Sequence, residues 1–433
     1  MNILDPKSVE ESIVKVLKIF KEVKSISESE VNFHNQWLDL GRQLFESNIQ
    51  YQIEDCEKVL TGAHQKYAKS YHTRLGTIRL IRKSYINTEG GYVCHADSFL
   101  SLPSNGWLAS VQKLACTFGL ETDFENAASI LDETTRVKVT GNTMMQVVEN
   151  LGHQLIEKQN QTQIVETAIR DSALFKTVCR KLKQKQKPNV YVGMDGLMLS
   201  MNRKQGYKEA LVGVVFWQNA HMPVSKKRNE VRSRHYVAMM DTKDKFCESV
   251  FKSYAYLVGK TPCQVVILGD GARWIWDRAS EHYPDGIQIL DFYHVSEYVW
   301  AAAKEIYPQD KKKRKAWARR HLKSLKASKI HNFLKVLGKH PTIEGGLKTA
   351  VGTLKTYLLN NLERIDYARY MKLGLMIGSG VVESSNRRVV SQRLKRSGMH
   401  WSKEGANSIM ALRAAYLSSD TQWNDFWEQK YVA

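Results

Sequence analysis

The chain has 433 residues and carries 64 Lys and Arg against 44 Asp and Glu, a formal net charge of +20. That excess of positive charge points to a polyanionic partner. Hydrophobic residues at 43% and aromatic residues at 10% can fill the cores of roughly two or three domains of ~150 residues, which excludes intrinsic disorder as the overall class. Without an apolar run of ~18 residues or a signal-peptide pattern, the sequence predicts an intracellular, cytoplasmic protein.

The first 185 residues are predicted to be mainly helical, with one small β element. Residues 1–70 form the helical N-terminal region, since residues 8–24 place apolar side chains three and four apart. The segment RLGTIRLIRKSYINTEGGYV predicts a strand and a hairpin. A helical array then completes the region 71–185. The segment FENAASILDETTRVKVTGNTMMQVVENLG in it is similar to a helix-turn-helix, a candidate DNA-binding element, with its second helix beginning near Thr140 to Asn142. The inward-facing side chains of the second helix would be Met144, Val148, Leu151 and Leu155; an ordinary pair of core helices is the alternative.

From residue 186 the pattern changes to short apolar strands. NVYVGM, LMLSM and EALVGVVFW predict three antiparallel strands, and QVVILGD and GIQILD predict two buried strands separated by a helix. Residues 186–295 therefore form an α/β core with a mixed sheet. Residues 296–373 predict an all-helical, basic insertion, with 13 Lys or Arg against two acids between Lys304 and Lys339. Residues 374–433 contain a further helix and a tail.

Three acids stand where apolar segments end or begin. Asp195 follows NVYVGM, Asp270 follows QVVILG, and Glu383 begins the helix after Ser379. Each has an ordinary structural interpretation: a hairpin turn at Asp195-Gly196, a helix N-cap at Asp270, and a first-turn acid at Glu383. Together they fit a phosphodiester-cleaving site, because two Mg²⁺ ions at such a site need oxygen ligands. The basic charge of the chain suits a nucleic-acid substrate.

Two long segments resemble a known family. VILGDGARWIWDRASEHYPDGIQILDFYHVSEYVW and IGSGVVESSNRRVVSQRLKRSGMHWSKEGANSIMALRAAYL closely resemble the ISKra-type DDE transposases of bacterial insertion sequences, which have a ribonuclease-H-like catalytic domain. The resemblance implies a five-stranded ribonuclease-H-like sheet and makes Asp195, Asp270 and Glu383 the catalytic, metal-binding acids. It implies two Mg²⁺ ions per site, with Mn²⁺ able to substitute. Asp291 and His294 match an Asp-x-x-His element and would support the site; a helix-start histidine bonded to Asp291 is the alternative.

The expected partner is double-stranded DNA, both the transposon terminal inverted repeats and the target DNA. The protein is expected to bind DNA as a homodimer or larger oligomer and to be nucleoid-associated when bound. No membrane partner is expected. Two basic groups are candidates for DNA contact, and a passive solvated surface is the alternative for each. They are Lys311, Lys312, Lys313, Arg314, Lys315, Arg319 and Arg320 in the insertion, and Arg387, Arg388, Arg393, Lys395 and Arg396 near Glu383.

The leading interpretation is a transposase that cleaves phosphodiester bonds at element ends and joins the 3′ ends to target DNA. Two alternatives stay open: a hydrolase or resolvase of the same fold that cuts without joining, and a transposase-derived DNA-binding protein that is catalytically silent.

Overall fold

A computed structural model describes residues 10, 13–14, 25–161, 187–202, 205–218, 221–225, 228–231, 234–259, 261–344, 347–378, 380–419 and 421–432. Most of the helix predicted over residues 8–24, most of the basic run CRKLKQKQKP (179–188), the boundary between the regions 71–185 and 186–295, and Ser379 lie outside these residues. The chain divides into two compact units, Met1–His153 with Asn424–Ala433, and Gln154–Trp423.

The first unit combines a small antiparallel sheet with helices, as the sequence predicts. Its sheet has the order β1-β2-β3, in which β1 is a strand that the sequence pattern does not predict. Apolar side chains alternate along β2, so that Ile78 and Leu80 pack with Ile53 of α1 and Tyr71 of β1. The elements are α1 (Ile26–Lys58), β1 (Gln65–Thr73), β2 (Gly76–Ile86), β3 (Tyr92–Val93), α2 (His95–Phe99), α3 (Ala109–Glu121), α4 (Phe124–Thr135) and α5 (Gly141–Gln161).

The predicted helix pair at the end of this region is confirmed as two helices. α5 begins at Gly141, and the Thr143 amide in its first turn donates a hydrogen bond to the Thr140 hydroxyl at 3.2 Å. The four side chains expected to face inward, Met144, Val148, Leu151 and Leu155, are all buried. Whether the pair reads DNA stays a prediction.

The second unit is built on a five-stranded mixed sheet with the strand order β10-β9-β4-β5-β8. β4, β5 and β8 form an antiparallel meander, and β9 and β10 continue the sheet parallel to β4. The elements of this part are β4 (Asn189–Ser200), β5 (Tyr207–Trp217), the hairpin β6 (His221–Ser225) and β7 (Arg228–Val231), β8 (Arg234–Met239), α6 (Lys243–Val258), β9 (Gln264–Gly269), α7 (Arg273–His282) and β10 (Ile287–Leu290).

The sheet corrects two details of the predicted meander. NVYVGM and LMLSM are not two strands but one, because Asp195 and Gly196 stay extended and pair with Val212 and Leu211 of β5. The hairpin interpretation of Asp195-Gly196 is therefore wrong. EALVGVVFW is therefore the second strand of the meander, and the third is β8. The stretch before β8 is polar, and its composition gives no strand signal.

The insertion is mainly helical, but the prediction that it is all-helical is wrong. A pair of two-residue strands, β11 (Ile343–Glu344) and β12 (Leu347–Lys348), interrupts it. Its helices bury short apolar faces that the basic residues flank. They are α8 (Phe292–Ile306), α9 (Lys311–Lys326), α10 (Ile330–Leu337), α11 (Ala350–Leu359) and α12 (Tyr367–Lys372), with a 3₁₀ turn at Leu362–Arg364.

The C-terminal part begins with a helix in three sections. α13 (Gly380–Ser385) passes through a π-helical segment, Asn386–Ser391, into α14 (Gln392–Leu394). α15 (Lys403–Leu417) is largely buried, and the residues after it cover the outer edge of β8 through the bond from the Ser419 amide to the Arg234 carbonyl at 2.8 Å. α16 (Gln422–Val432) contributes Phe426 and Trp427, both buried.

Across the described residues, we find no helix whose length and apolar character would let it cross a lipid bilayer.

Candidate active site

Three aspartates lie level with one another on three neighbouring parallel strands: Asp195 within β4, and Asp270 and Asp291 directly after the ends of β9 and β10. Gly193 of β4 pairs with Leu268 of β9, and Asp195 and Asp270 each come two residues later. Gly269 pairs with Leu290 of β10, and Asp291 directly follows. The register therefore sets Asp195, Asp270 and Asp291 in one row across the sheet. Two of the three aspartates lie at strand ends, which is where α/β sheets carry ligand sites.

Asp195 is a half-buried carboxyl group in the central strand. Burial raises its pKa, and the neighbouring negative charge of Asp270 raises it further. Three groups act in the opposite direction: the Gly196 amide, which donates to Oδ1 at 2.7 Å, the Asn386 side chain, and the charge of His294. Repulsion between two acids in a partly dry site favours a cation between them.

The helix that carries Glu383 lies directly against β4. A Cβ atom on Gly193 would come within 2.2 Å of Val382 Cγ2, so only glycine permits this approach. One turn later the Asn386 side-chain amide donates a hydrogen bond to Asp195 Oδ2. Gly193 and Asp195 share one face of the strand, as Val382 and Asn386 share one face of the helix.

Glu383 occupies the first turn of α13, as expected, and its side chain is exposed. It follows Val382 and precedes Asn386 by three residues, a spacing that makes Glu383 and Asn386 neighbours on the helix surface. The helix therefore presents Glu383 next to the residue that contacts Asp195. Its catalytic role stays a prediction.

Asp270 occupies a tight turn after β9 and is not the N-cap of α7. The cap residue is Ala272, whose amide donates to Asp270 Oδ1 at 3.0 Å. The backbone carbonyl of Asp270 accepts a hydrogen bond from the hydroxyl of Tyr357, which belongs to α11 in the insertion. Gly271 adopts a φ of +94°, and a Cβ atom there would lie 2.7 Å from the Tyr357 ring.

The Asp-x-x-His element divides between two tasks. Asp291 is buried and caps α8, with Oδ1 accepting from the Tyr293 amide at 2.8 Å. His294 faces the site: it lowers the pKa of Asp195 through its charge, and its ring lies 6.1 Å from that of Tyr357. Its Nδ1 lies 3.4 Å from a Glu297 carboxylate oxygen. The supporting role of His294 stays a prediction.

The oxygen atoms at this site suit a divalent cation, although they do not form a finished metal shell. Within the described part of the chain, no three His, Cys, Asp or Glu side chains stand together as metal ligands. Asp195 and Asp270 nevertheless repel one another, and beside them Asn386 Oδ1 is buried without a hydrogen-bond partner among the residues that the structure describes. Carboxylate and amide oxygens are the ligands that Mg²⁺ and Mn²⁺ accept. The metal assignment stays a prediction.

The π-helical segment after Asn386 is held by a buried arginine. Arg413 of α15 donates from Nε to the Val389 carbonyl at 2.9 Å and from its Nη2 group to the Arg388 carbonyl. Both carbonyl groups belong to the segment in which the helix widens, so Arg413 satisfies backbone groups there. This fixes the direction in which the helix continues after the active-site residues.

Arg393 is not a DNA-contacting residue, contrary to the prediction. Its side chain is fully buried, its guanidinium lies 5.2 Å from the centre of the Trp401 ring, and its Nη1 reaches Met399 Sδ at 3.5 Å. The other cations near Glu383 remain accessible: Arg387, Lys395 and Arg396 are exposed and Arg388 is half-buried.

In the insertion, Arg314 also differs from its neighbours. It is half-buried and donates to the carbonyls of Tyr307 and Pro308, so it binds the C-terminal end of α8 and does not project freely into solvent. The remaining cations of this group are exposed on α9: Lys311, Lys312, Lys313, Lys315, Arg319 and Arg320. Their contact with DNA stays a prediction.

Two residues of the site, Asn386 and Tyr357, are not identified by sequence reasoning. An asparagine after a glutamate and a tyrosine inside a helical insertion are both commonplace. The signal that could have revealed Asn386 is Gly193, since a glycine within an apolar strand often marks a close approach of another backbone or helix. No comparable signal marks Tyr357.

Comparison with known proteins assigns the chain to a family. The chain is 42% identical over 62 residues to a protein of Streptococcus gallolyticus described as "UPF0236 protein in vanSb 3'region"; the match covers 14% of each chain. The model of the Uncharacterised protein family (UPF0236) matches residues 21–430. The chain therefore belongs to the Uncharacterised protein family (UPF0236).

Proposed function

We propose that this protein is a DNA transposase of the ISKra-like DDE type, which cleaves phosphodiester bonds at insertion-sequence ends and joins the released 3′ ends to target DNA. The observation that carries this proposal is the row of Asp195 and Asp270 in register at the centre of the sheet, with the Glu383 helix packed on the same strand. The strand order, an antiparallel meander extended by two parallel strands, is the order expected of a ribonuclease-H-like domain.

The charges of the site support phosphodiester chemistry. Asp195, Asp270 and Glu383 would hold divalent ions, which when bound stabilise the attacking and leaving oxygens of an in-line displacement. The protein residues supply the positions: β4 and β9 set the two aspartates side by side, and Asn386 orients the Asp195 carboxylate. His294 adds a group that counteracts the rise in the pKa of Asp195.

The distribution of positive charge supports DNA as the substrate. Arg387, Lys395 and Arg396 lie on or just after the helix that bears Glu383, where they could meet phosphates near the scissile bond. The exposed cations of α9 form a second basic surface. Contacts of this kind position DNA without reading its sequence.

The test is a strand-cleavage and joining assay with full-length protein. End-labelled duplexes taken from the DNA on both sides of the gene would be incubated with Mg²⁺ or Mn²⁺ and a supercoiled target plasmid. We expect nicks that leave 3′ hydroxyl groups, followed by joining to the plasmid. D195N, D270N and E383Q should each lower cleavage at least about 100-fold and leave DNA affinity unchanged.

The matched control is D277N, which neutralises an exposed aspartate of α7 outside the site and should cut like the wild type. Cleavage without joining would replace the proposal with a hydrolase or resolvase. DNA binding without metal-dependent cleavage would indicate a transposase-derived binding protein and overturn the enzymatic proposal.

A further inference from the structure

Three tyrosine hydroxyls of the insertion donate hydrogen bonds to backbone carbonyls of β10 and of the turn after β9. Tyr367 donates to Leu290 at 3.0 Å and Tyr357 donates to Asp270. The Tyr370 hydroxyl shares its proton between the carbonyls of Gln288, at 3.3 Å, and Glu363, at 3.2 Å. These carbonyls lie on the edge strand of the sheet or just beyond a strand end, where a neighbouring strand no longer supplies every partner. The insertion is thus hydrogen-bonded to β10 and to the turn after β9, the two strands that are followed by Asp291 and Asp270.

Tyr357 is the member of this group that contacts an acid of the active site directly. Its ring packs so closely over Gly271 that a side chain at that position would collide with it, and Gly271 has a positive φ that suits glycine. The ring is stacked on Tyr298 of α8, with centroids 4.4 Å apart and ring planes inclined by 22°. Ring and hydroxyl together confine the turn 270–272.

The helix that carries Tyr357 is itself anchored near the site. The Glu305 carboxylate of α8 accepts from the Ala350 amide at 2.7 Å and from the Val351 amide at 3.3 Å, at the N-terminus of α11. α8 is capped by Asp291, the third aspartate of the row. Tyr357 therefore belongs to α11, which is bonded to α8, and α8 begins at the end of β10 beside Asp291.

We propose that Tyr357 is a positioning residue: it holds the backbone of Asp270 so that the carboxylate stays level with Asp195, and the insertion serves as a brace for the active site as well as a basic surface. The catalytic consequence rests on the function proposed above. A ligand group displaced by ~1 Å can cost about 100-fold in rate, so a brace on one acid has a measurable effect.

The first test needs neither metal nor DNA. Y357F keeps the ring and removes the hydroxyl; Y370F is the matched control, because it removes a hydroxyl bonded to β10 away from the acids. Hydrogen exchange of the full-length, metal-free protein would be followed by mass spectrometry in peptides covering 268–275. We expect about five- to tenfold faster exchange there in Y357F, the effect of removing one hydrogen bond, and wild-type exchange in Y370F.

The second test measures metal dependence. In Y357F the Mg²⁺ concentration for half-maximal cleavage should rise several-fold while DNA affinity stays unchanged, a result that general loss of stability would not produce. G271A is an independent variant, since its methyl group pushes on the Tyr357 ring and should shift the metal dependence in the same direction.

The brace is overturned if Y357F exchanges like the wild type over 268–275, or if Y357F and Y370F change exchange equally. A wild-type protein that never cuts DNA would sink the proposed function, whereas the exchange experiment would still decide whether Tyr357 holds the Asp270 turn.

Discussion

The side-chain amide of Asn386 donates a hydrogen bond to the carboxylate of Asp195, and so joins the helix that carries Glu383 to strand β4. The contact is possible because Gly193, two residues before Asp195, leaves room for Val382 of the same helix. An apolar contact and a polar contact, one helical turn apart, therefore fix the helix along the strand.

Replacing Asn386 with Ala should slow DNA cleavage more than it weakens folding. The variant removes a hydrogen bond to a charged group, worth about 1.5 to 3 kcal/mol, which corresponds to roughly 10- to 150-fold in rate if the bond is retained in the transition state. Single-turnover cleavage would measure the change. Q392A, at an exposed position later on the same helix, is the control. Equal rates for N386A and the wild type would rule out an orienting role for Asn386.

Replacing Lys311, Lys312, Lys313 and Lys315 with Gln should weaken binding to end-bearing and scrambled duplexes alike. The slope of log affinity against log salt should flatten by up to about 0.9 for each phosphate that the variant no longer neutralises. Arg314 is left intact because it bonds the Tyr307 and Pro308 carbonyls. Fluorescence anisotropy at several salt concentrations gives the slope, and an unchanged slope would identify this surface as solvated and passive.

R314Q should have the contrasting effect in the same helix. Removal of its bonds to backbone carbonyls should lower the free energy of unfolding by about 1 to 2 kcal/mol, with little change in the salt slope. Urea denaturation beside the binding assay separates the two outcomes. A flattened salt slope with unchanged stability would mean that Arg314 meets DNA after all.

Arg393→Ala should destabilise the protein without selectively weakening DNA binding. The side chain is fully buried against Trp401 and Met399, so truncation leaves a cavity and should cost about 2 to 4 kcal/mol. The exposed neighbour Arg387 is the matched site: R387Q should retain stability and bind DNA more weakly. Thermal unfolding and fluorescence anisotropy would be measured on both variants. Weaker DNA binding with unchanged stability in R393A, and lower stability with unchanged binding in R387Q, would contradict the assignment.

The buried side chain of His321 should lower the free energy of unfolding in mild acid. Burial lowers its pKa to about 4, and the nearby positive charge of Arg320 acts in the same direction. Its ring stacks on Phe333 and meets Trp317 edge-on. Because the folded state resists protonation, the unfolded state binds the extra proton as pH falls from ~6.5 to about 4. Stability is complete above that window and declines through it, by up to about 1.4 kcal/mol per pH unit.

Urea midpoints measured between those two pH values would test the prediction about His321. H321F keeps an aromatic ring in place and removes the proton site, so its midpoint should depend less on pH than that of the wild type. Parallel curves for the two proteins would show that His321 does not contribute to the acid sensitivity.

The sequence predicted the parts of the fold that depend on local pattern. Apolar runs identified β4, β5, β9 and β10, and helical spacing identified α3 to α5. The continuity of β4 through Asp195-Gly196 could not be predicted in this way, because the dipeptide is equally good in a turn and its extended form depends on pairing with β5.

The site shows the same division. The position of Asp270 after a buried strand follows from the sequence, but the place of Asp195 inside a continuous strand, the burial of Arg393 and the role of Arg314 do not. Both arginines lie within basic runs, and from the sequence every residue of such a run is expected to be solvated. Trp401 and the end of α8 give them partners that only the folded chain brings near.

The assignment of residues 424–433 to the first unit has a consequence for biosynthesis. The segment carries the buried side chains of Phe426 and Trp427, yet it is translated after the entire second unit. The first unit therefore leaves the ribosome unfinished, and its final stabilisation waits for residues 424–433. At ~5 to 20 residues per second, that delay lasts on the order of 15 to 50 seconds, during which a nascent-chain chaperone would have an incompletely covered apolar surface to bind.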